Sequence, residues 1–193
     1  MRTFFIATCM SIVATTSQAH TGHGTSGLVA GFVHPFGLDH LLAMVAVGIW
    51  SISRLPTNKA WWGPATFMLS LVLSATIGTQ GFTLPYLENM ISLSVVMFGL
   101  MMVFAGLKTP MFVSLSFIAT AASMHGLAHG AESPESGFAF YAFGFLVTTG
   151  LLHFGGMVAG FAVKRYIPSK ESLISKAVGL IFGGTGIYLF SQI

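Results

Sequence analysis

Two histidines and a carboxylate fall at helical spacing in the stretch Met124-His125-Gly126-Leu127-Ala128-His129-Gly130-Ala131-Glu132. At about 100° per residue, His129 lies about 40° from His125, and Glu132 about 20° to its other side. The three share one helix face, stacked over roughly 10 Å. Imidazole nitrogens and carboxylate oxygens suit a divalent first-row metal. His125 and His129 are close enough to share one ion, whereas a straight helix carries Glu132 out of their reach. Gly126 and Gly130 are the points at which the helix could bend or unwind. The same spacing also describes successive holds along a path, or polar residues at a helix end that reach water or a neighbouring carbonyl. Ionisable groups at membrane depth are functional by default, and three in register favour a site.

A second constellation is His34-Pro35-Phe36-Gly37-Leu38-Asp39-His40, followed by Leu41-Leu42-Ala43-Met44. An Asp beside a His in an apolar helix is costly unless it pairs or binds a cation. Pro35 suits a first helical turn, which places His34 at or before the helix start and Asp39 and His40 a turn or more inside. His40 and Met44 are four apart on one face, so a thioether is available there, although methionine is common in this chain and packs well. His153 sits alone in a later apolar run, as a further ligand or as a hydrogen-bonded packing residue.

These residues must be positioned by membrane helices. Of 193 residues, 54% are hydrophobic and 7% charged, against about 25% charged in soluble domains, and the mean hydropathy is +0.82. Apolar runs of about 20 residues predict helices rather than a barrel. The net charge of +3 carries no implication of nucleic-acid binding. The expected partner is lipid.

Met1-Arg2, the apolar stretch Phe4–Ala14 and Ser17-Gln18-Ala19 read as a signal peptide over residues 1–19, cleaved after Ala19. Cleavage would remove Cys9, the sole cysteine, leaving no thiolate chemistry. Residues 20–27 form a polar tail in which His20, His23 and a free α-amine could capture a metal weakly. Residues 28–193 hold six apolar segments, Leu28–Ile52, Trp61–Thr79, Leu87–Leu107, Met111–Ala131, Phe138–Val163 and Leu173–Ile193, joined by short loops with turn signals. The expected fold is thus an all-α integral membrane protein of six transmembrane helices. Arg54, Lys59, Lys108, Lys164, Arg165, Lys170 and Lys176 are the basic residues left after cleavage, and all fall around alternate loops. That segregation predicts those loops in the cytoplasm and both mature termini in the periplasm. Spacings such as Gly156…Gly160 and Gly179…Gly183 predict close helix packing.

The run from Gly31 to Gly48, which contains His34-Pro35-Phe36-Gly37-Leu38-Asp39-His40, and the run His125-Gly126-Leu127-Ala128-His129-Gly130-Ala131-Glu132 closely resemble the signatures of HupE/UreJ proteins. The resemblance covers nearly the whole mature chain. It implies a secondary permease of the bacterial inner membrane for Ni2+, sometimes Co2+, linked to hydrogenase or urease maturation. It also implies that His34, Asp39, His40, His125, His129 and Glu132 handle the metal, with no permanent cofactor. One departure stands out: four residues separate His34 from Asp39-His40, where the family usually has five. On a continuous helix the missing residue would rotate His34 by about 100°; a helix start at Pro35 removes that consequence.

The chain has no Gly-Lys-Ser/Thr phosphate loop, which argues against ATP hydrolysis within it; an inward electrical gradient could suffice for transport, and Asp39 or Glu132 could couple proton movement to it. Two other classes compete with transport. Histidines on neighbouring helices could ligate a b-type haem, although the acids in both clusters have no part in such a site. A metal-dependent intramembrane enzyme could use Glu132 as base toward metal-bound water, but the His-Glu-x-x-His order is absent.

Overall fold

The computed structural model describes residues 27–107, 109–133 and 138–193. The expected signal peptide, Cys9, His20 and His23 lie outside the described residues. Everything regular among the described residues is helical: α1 (Gly27–Val33), α2 (Leu38–Arg54), α3 (Trp62–Gly78), α4 (Leu87–Val103), α5 (Met111–Ala131), α6 (Phe138–Tyr166) and α7 (Glu171–Phe190), with short 3-10 turns at His34–Phe36, Thr57–Lys59 and Pro168–Lys170.

Prolines set several of the breaks. Pro35 lies in the turn between α1 and α2, Pro110 directly precedes α5, and Pro168 opens the turn before α7. Each fixes its own φ and withholds an N–H from the helical ladder; at the first break the chain leaves helical geometry at Gly37, φ −49° and ψ 136°. The first apolar segment is therefore two helices bent by 69°, not one continuous span. Four helical stretches are long and apolar enough to cross a membrane: Thr57–Gly78, Met111–Ala131, Phe138–Tyr166 and Pro168–Phe190. The bent pair makes a fifth if counted as one span. α4, at 17 residues, reaches only about 26 Å against a hydrocarbon core of about 30 Å. It stops four residues before the predicted Leu107, where the chain turns and the Arg54 Nη2 donates to the Leu107 carbonyl at 2.6 Å.

The helices pack chiefly as pairs: α3 with α5, α4 with α7, and α6 with both α1 and α2. Glycines seam each pair. A Cβ on Gly48 of α2 would stand 2.3 Å from the His153 carbonyl of α6, and one on Gly156 would stand 2.4 Å from that of Val45. Gly179 of α7 likewise meets the Gly99 carbonyl of α4, as the spacing predicts. Gly126 and Gly130 serve this purpose too. α5 runs through both without a break, and their missing side chains admit Leu71, Ser74 and Ala75 of α3, with carbonyls 2.1–2.3 Å from the ideal Cβ positions. These two glycines, the points at which the helix could bend or unwind, do neither here; they let two backbones touch.

The core joins Ala43, Met44, Val47 and Trp50 of α2 to Phe67 and Leu71 of α3, Phe98 and Met102 of α4, Ile118 and Ala122 of α5 and Phe145 of α6. One end of the bundle carries His34, His40, His125 and His129, and the opposite end carries Arg54, Lys59 and Lys164.

Candidate metal centre

Asp39 and His40 enter in the first turn of α2, nearer its start than the sequence suggests, because the helix begins only at Leu38. A carboxylate is favoured there by the exposed N–H groups and the helix dipole. Asp39 Oδ1 accepts the backbone N–H of His40 at 2.8 Å and its ring Nδ1–H at 2.9 Å. A carboxylate accepts and does not donate, so the network assigns the ring proton to Nδ1 and leaves the lone pair on Nε2.

His125 is fixed by a different helix. Ser94 of α4 donates its hydroxyl to the Ile91 carbonyl at 2.7 Å. With its one hydrogen so used, Ser94 Oγ accepts from His125 Nε2–H at 2.9 Å. The lone pair of His125 then lies on Nδ1, a buried atom with no hydrogen-bond partner among the described residues. His129 presents Nε2 to the Nε2 of His40 in close contact, and its Nδ1 is likewise buried without a partner. Two ring nitrogens placed face to face share either a proton or a cation.

His40, His125 and His129, all buried, each offer one nitrogen, and the three atoms lie within 4.8 Å of one another. The ring centroids of His40 are 4.4 Å from those of both His125 and His129. Nitrogens so disposed could hold a divalent ion, and the fixed far side of His40 and His125 is the arrangement that orients metal-binding imidazoles.

The other predicted residues take distinct places. His34 stands in the 3-10 turn, half-buried, its ring edge-on to His129 at 4.6 Å and 6.1 Å from His40. The helix break therefore brings it to the rim of the cluster despite the shorter spacing. Glu132 follows the last residue of α5 and still bonds its N–H to the Ala128 carbonyl at 2.9 Å. It caps α5 at φ −92°, ψ 2°, with an exposed side chain outside the three-histidine group. It still lies within electrostatic reach of His40, as does Glu88 at the start of α4. Met44 is fully buried in the apolar core. His153 is fully buried on α6 and donates Nδ1–H to the Thr149 carbonyl at 2.8 Å.

Several neighbours went unread in the sequence. Ser94 had no motif to announce it. Phe67, Tyr141 and Phe145 supply aromatic walls: Phe145 lies tilted 4.4 Å from His129, and Phe67 lies 5.8 Å from His125 and 4.9 Å from His153. Each comes from another helix, where spacing says nothing about proximity.

Fold and site together define a helical membrane protein with a buried histidine cluster at one end of its bundle. Residues 8–189 match the family model described as HupE / UreJ protein, and the chain belongs to that family. It is 39% identical over 180 residues to Protein HupE of Rhizobium leguminosarum bv. viciae, covering 91% of this chain and 92% of that protein. No solved structure matches it.

Proposed function

We propose that the protein is a secondary transporter that takes up Ni2+, with Co2+ as a second cargo, from the periplasm across the bacterial inner membrane. The observation that carries this reading is the trio His40, His125 and His129, whose nitrogens converge within 4.8 Å. Two of the rings are oriented by partners, His40 by Asp39 and His125 by Ser94, and the Nε2 atoms of His40 and His129 face one another. The choice of nickel and cobalt rests on family membership, because imidazole and carboxylate ligands alone would favour copper. Membership likewise suggests hydrogenase or urease maturation as the destination of the metal.

In this reading His20 and His23 capture the ion, and His34 and Glu132 pass it at the rim. His40, backed by Asp39, then binds it with His125 and His129. Movement of the helices releases it inward. A doubly charged ion gains about 4.6 kcal/mol per 100 mV of inward-directed potential, twice the single-charge value. Two observations favour transport over the competing classes. The imidazole rings pack directly on one another, with no slot for a macrocycle between them. Glu132 stands outside the cluster, away from the position a base toward metal-bound water would need.

Accumulation of radiolabelled nickel in cells expressing the chain, with cobalt, zinc and copper as competitors, tests the proposal. Uptake above background that His129→Ala and Glu132→Gln abolish is the expected result. Equal uptake by both variants at equal membrane abundance would sink the site. The orientation is tested separately: a cysteine at Thr57 should resist impermeant thiol reagents in intact cells, and ready labelling would reverse the topology.

A further inference from the structure

His153 is the buried histidine that the cluster leaves unused. It lies midway along α6 with 1% exposure. Its Nδ1 is 2.8 Å from the Thr149 carbonyl, and a carbonyl only accepts, so Nδ1 carries the proton and Nε2 the lone pair. Nε2 has no hydrogen-bond partner among the described residues. Burying such an atom without a partner costs free energy that an aliphatic side chain of similar size would not. A ring anchored through one nitrogen to a backbone carbonyl, with the other nitrogen open, is also how proteins hold a metal-binding imidazole.

Its place in the bundle gives the open nitrogen a use. The backbone of His153 abuts Gly48 of α2, eight residues and about 12 Å along that helix from His40, toward the basic end. Phe67, fully buried, touches both His153 and His125 with its ring. Farther toward the basic end, Ser51 Oγ is buried and unpartnered against Gly63, one turn before Phe67 on α3. Open polar atoms thus recur along the bundle interior at His125, His153 and Ser51, with an aromatic ring at the first interval.

We propose that Nε2 of His153 is a second station for the divalent metal ion, reached from His125 when the Phe67 ring swings aside. This deepens the transport reading and rests on it for the route, though not for the binding. A Cys9→Ser chain provides the parent for the test. His153→Cys in that parent, titrated with Co2+ after purification, should develop a thiolate-to-cobalt charge-transfer band in the near ultraviolet that the parent lacks. In proteoliposomes His153→Gln should slow nickel uptake at least about tenfold, with binding of the first equivalent and the half-saturating concentration within about twofold of the parent. Absence of the band overturns the proposal. So does uptake by His153→Gln at the parent's rate, or loss of first-equivalent binding, which would mark His153 as a packing residue. A parent that transports no nickel would refute the proposed function instead, and the band alone would then decide whether His153 binds metal.

Discussion

The two ends of the bundle treat their polar side chains in opposite ways. At the histidine end, imidazoles are buried, one nitrogen of His40 and one of His125 are tied to Asp39 and Ser94, and the Nδ1 atoms of His125 and His129 have no hydrogen-bond partner among the described residues. At the basic end, charged groups are half-buried or exposed and engaged with backbone or ring. Arg54 donates to the Leu107 carbonyl, Lys164 Nζ donates to that of Ile52 at 3.2 Å, and Lys59 lies over the Trp62 ring at 5.2 Å. Cations at helix C-termini satisfy carbonyls that have no partner within the helix. The basic end is built to finish helices; the other end is built with capacity left over. Unfilled hydrogen-bonding capacity in a buried place is the better guide to a site than the mere presence of charge.

That contrast can be broken by mutation, beginning with the carboxylate. Asp39→Asn removes the charge behind His40 and should lower the maximal nickel uptake rate by about 100-fold, with little recovery at high nickel. His23→Ala, on the tail, should raise only the half-saturating concentration; uptake kinetics over a wide nickel range separate the two. Recovery of the full rate by Asp39→Asn at high metal would reduce Asp39 to a capture residue.

A bulky side chain at Gly126 attacks the scaffold rather than the ligands. Gly126→Leu places carbon where the Leu71 carbonyl and Ser74 already lie, and should destabilise the protein by about 1–3 kcal/mol. Thermal unfolding in detergent measures this, and an unchanged midpoint would show that α3 and α5 are not seamed there. Ser94→Ala is subtler, because it leaves the backbone alone and frees the His125 ring to turn. Metal affinity should fall about tenfold, as read by titration with Ni2+ or Co2+, with the fold intact by circular dichroism. Arg54→Gln and Lys164→Ala should do least. Each removes one exposed hydrogen bond, for at most about 1 kcal/mol of stability and no change in metal affinity. A metal phenotype at either position would erase the distinction between the ends.

Much of this was legible in the residues. The apolar runs gave the helices, Pro35 marked the first break, and the two histidine motifs supplied the rings that meet. Spacing along one helix, however, says which residues share a face and not where the helix stops. Glu132 is in phase with His125 and His129, yet it stands at the C-cap of α5, three residues beyond His129, where its side chain is exposed. Met44 is in phase with His40, yet a turn deeper the neighbours are apolar and it joins them. Partners from other helices, Ser94 and Phe67 above all, leave no local trace, because their proximity depends on packing between spans.

The glycine seams have one more consequence. α2 and α6 form one closely joined unit that carries His40 and His153, and α3 and α5 form another that carries Phe67, His125 and His129. With backbone set against backbone, neither unit can shear internally without parting carbonyls from the glycines that receive them. Movement between the units changes two separations at once, that of His40 from His129 and that of Phe67 from His153. In the proposed transport cycle the two units would act as the jaws of a single clamp, in which loosening the hold at the mouth and clearing the way past the aromatic ring would be one and the same displacement.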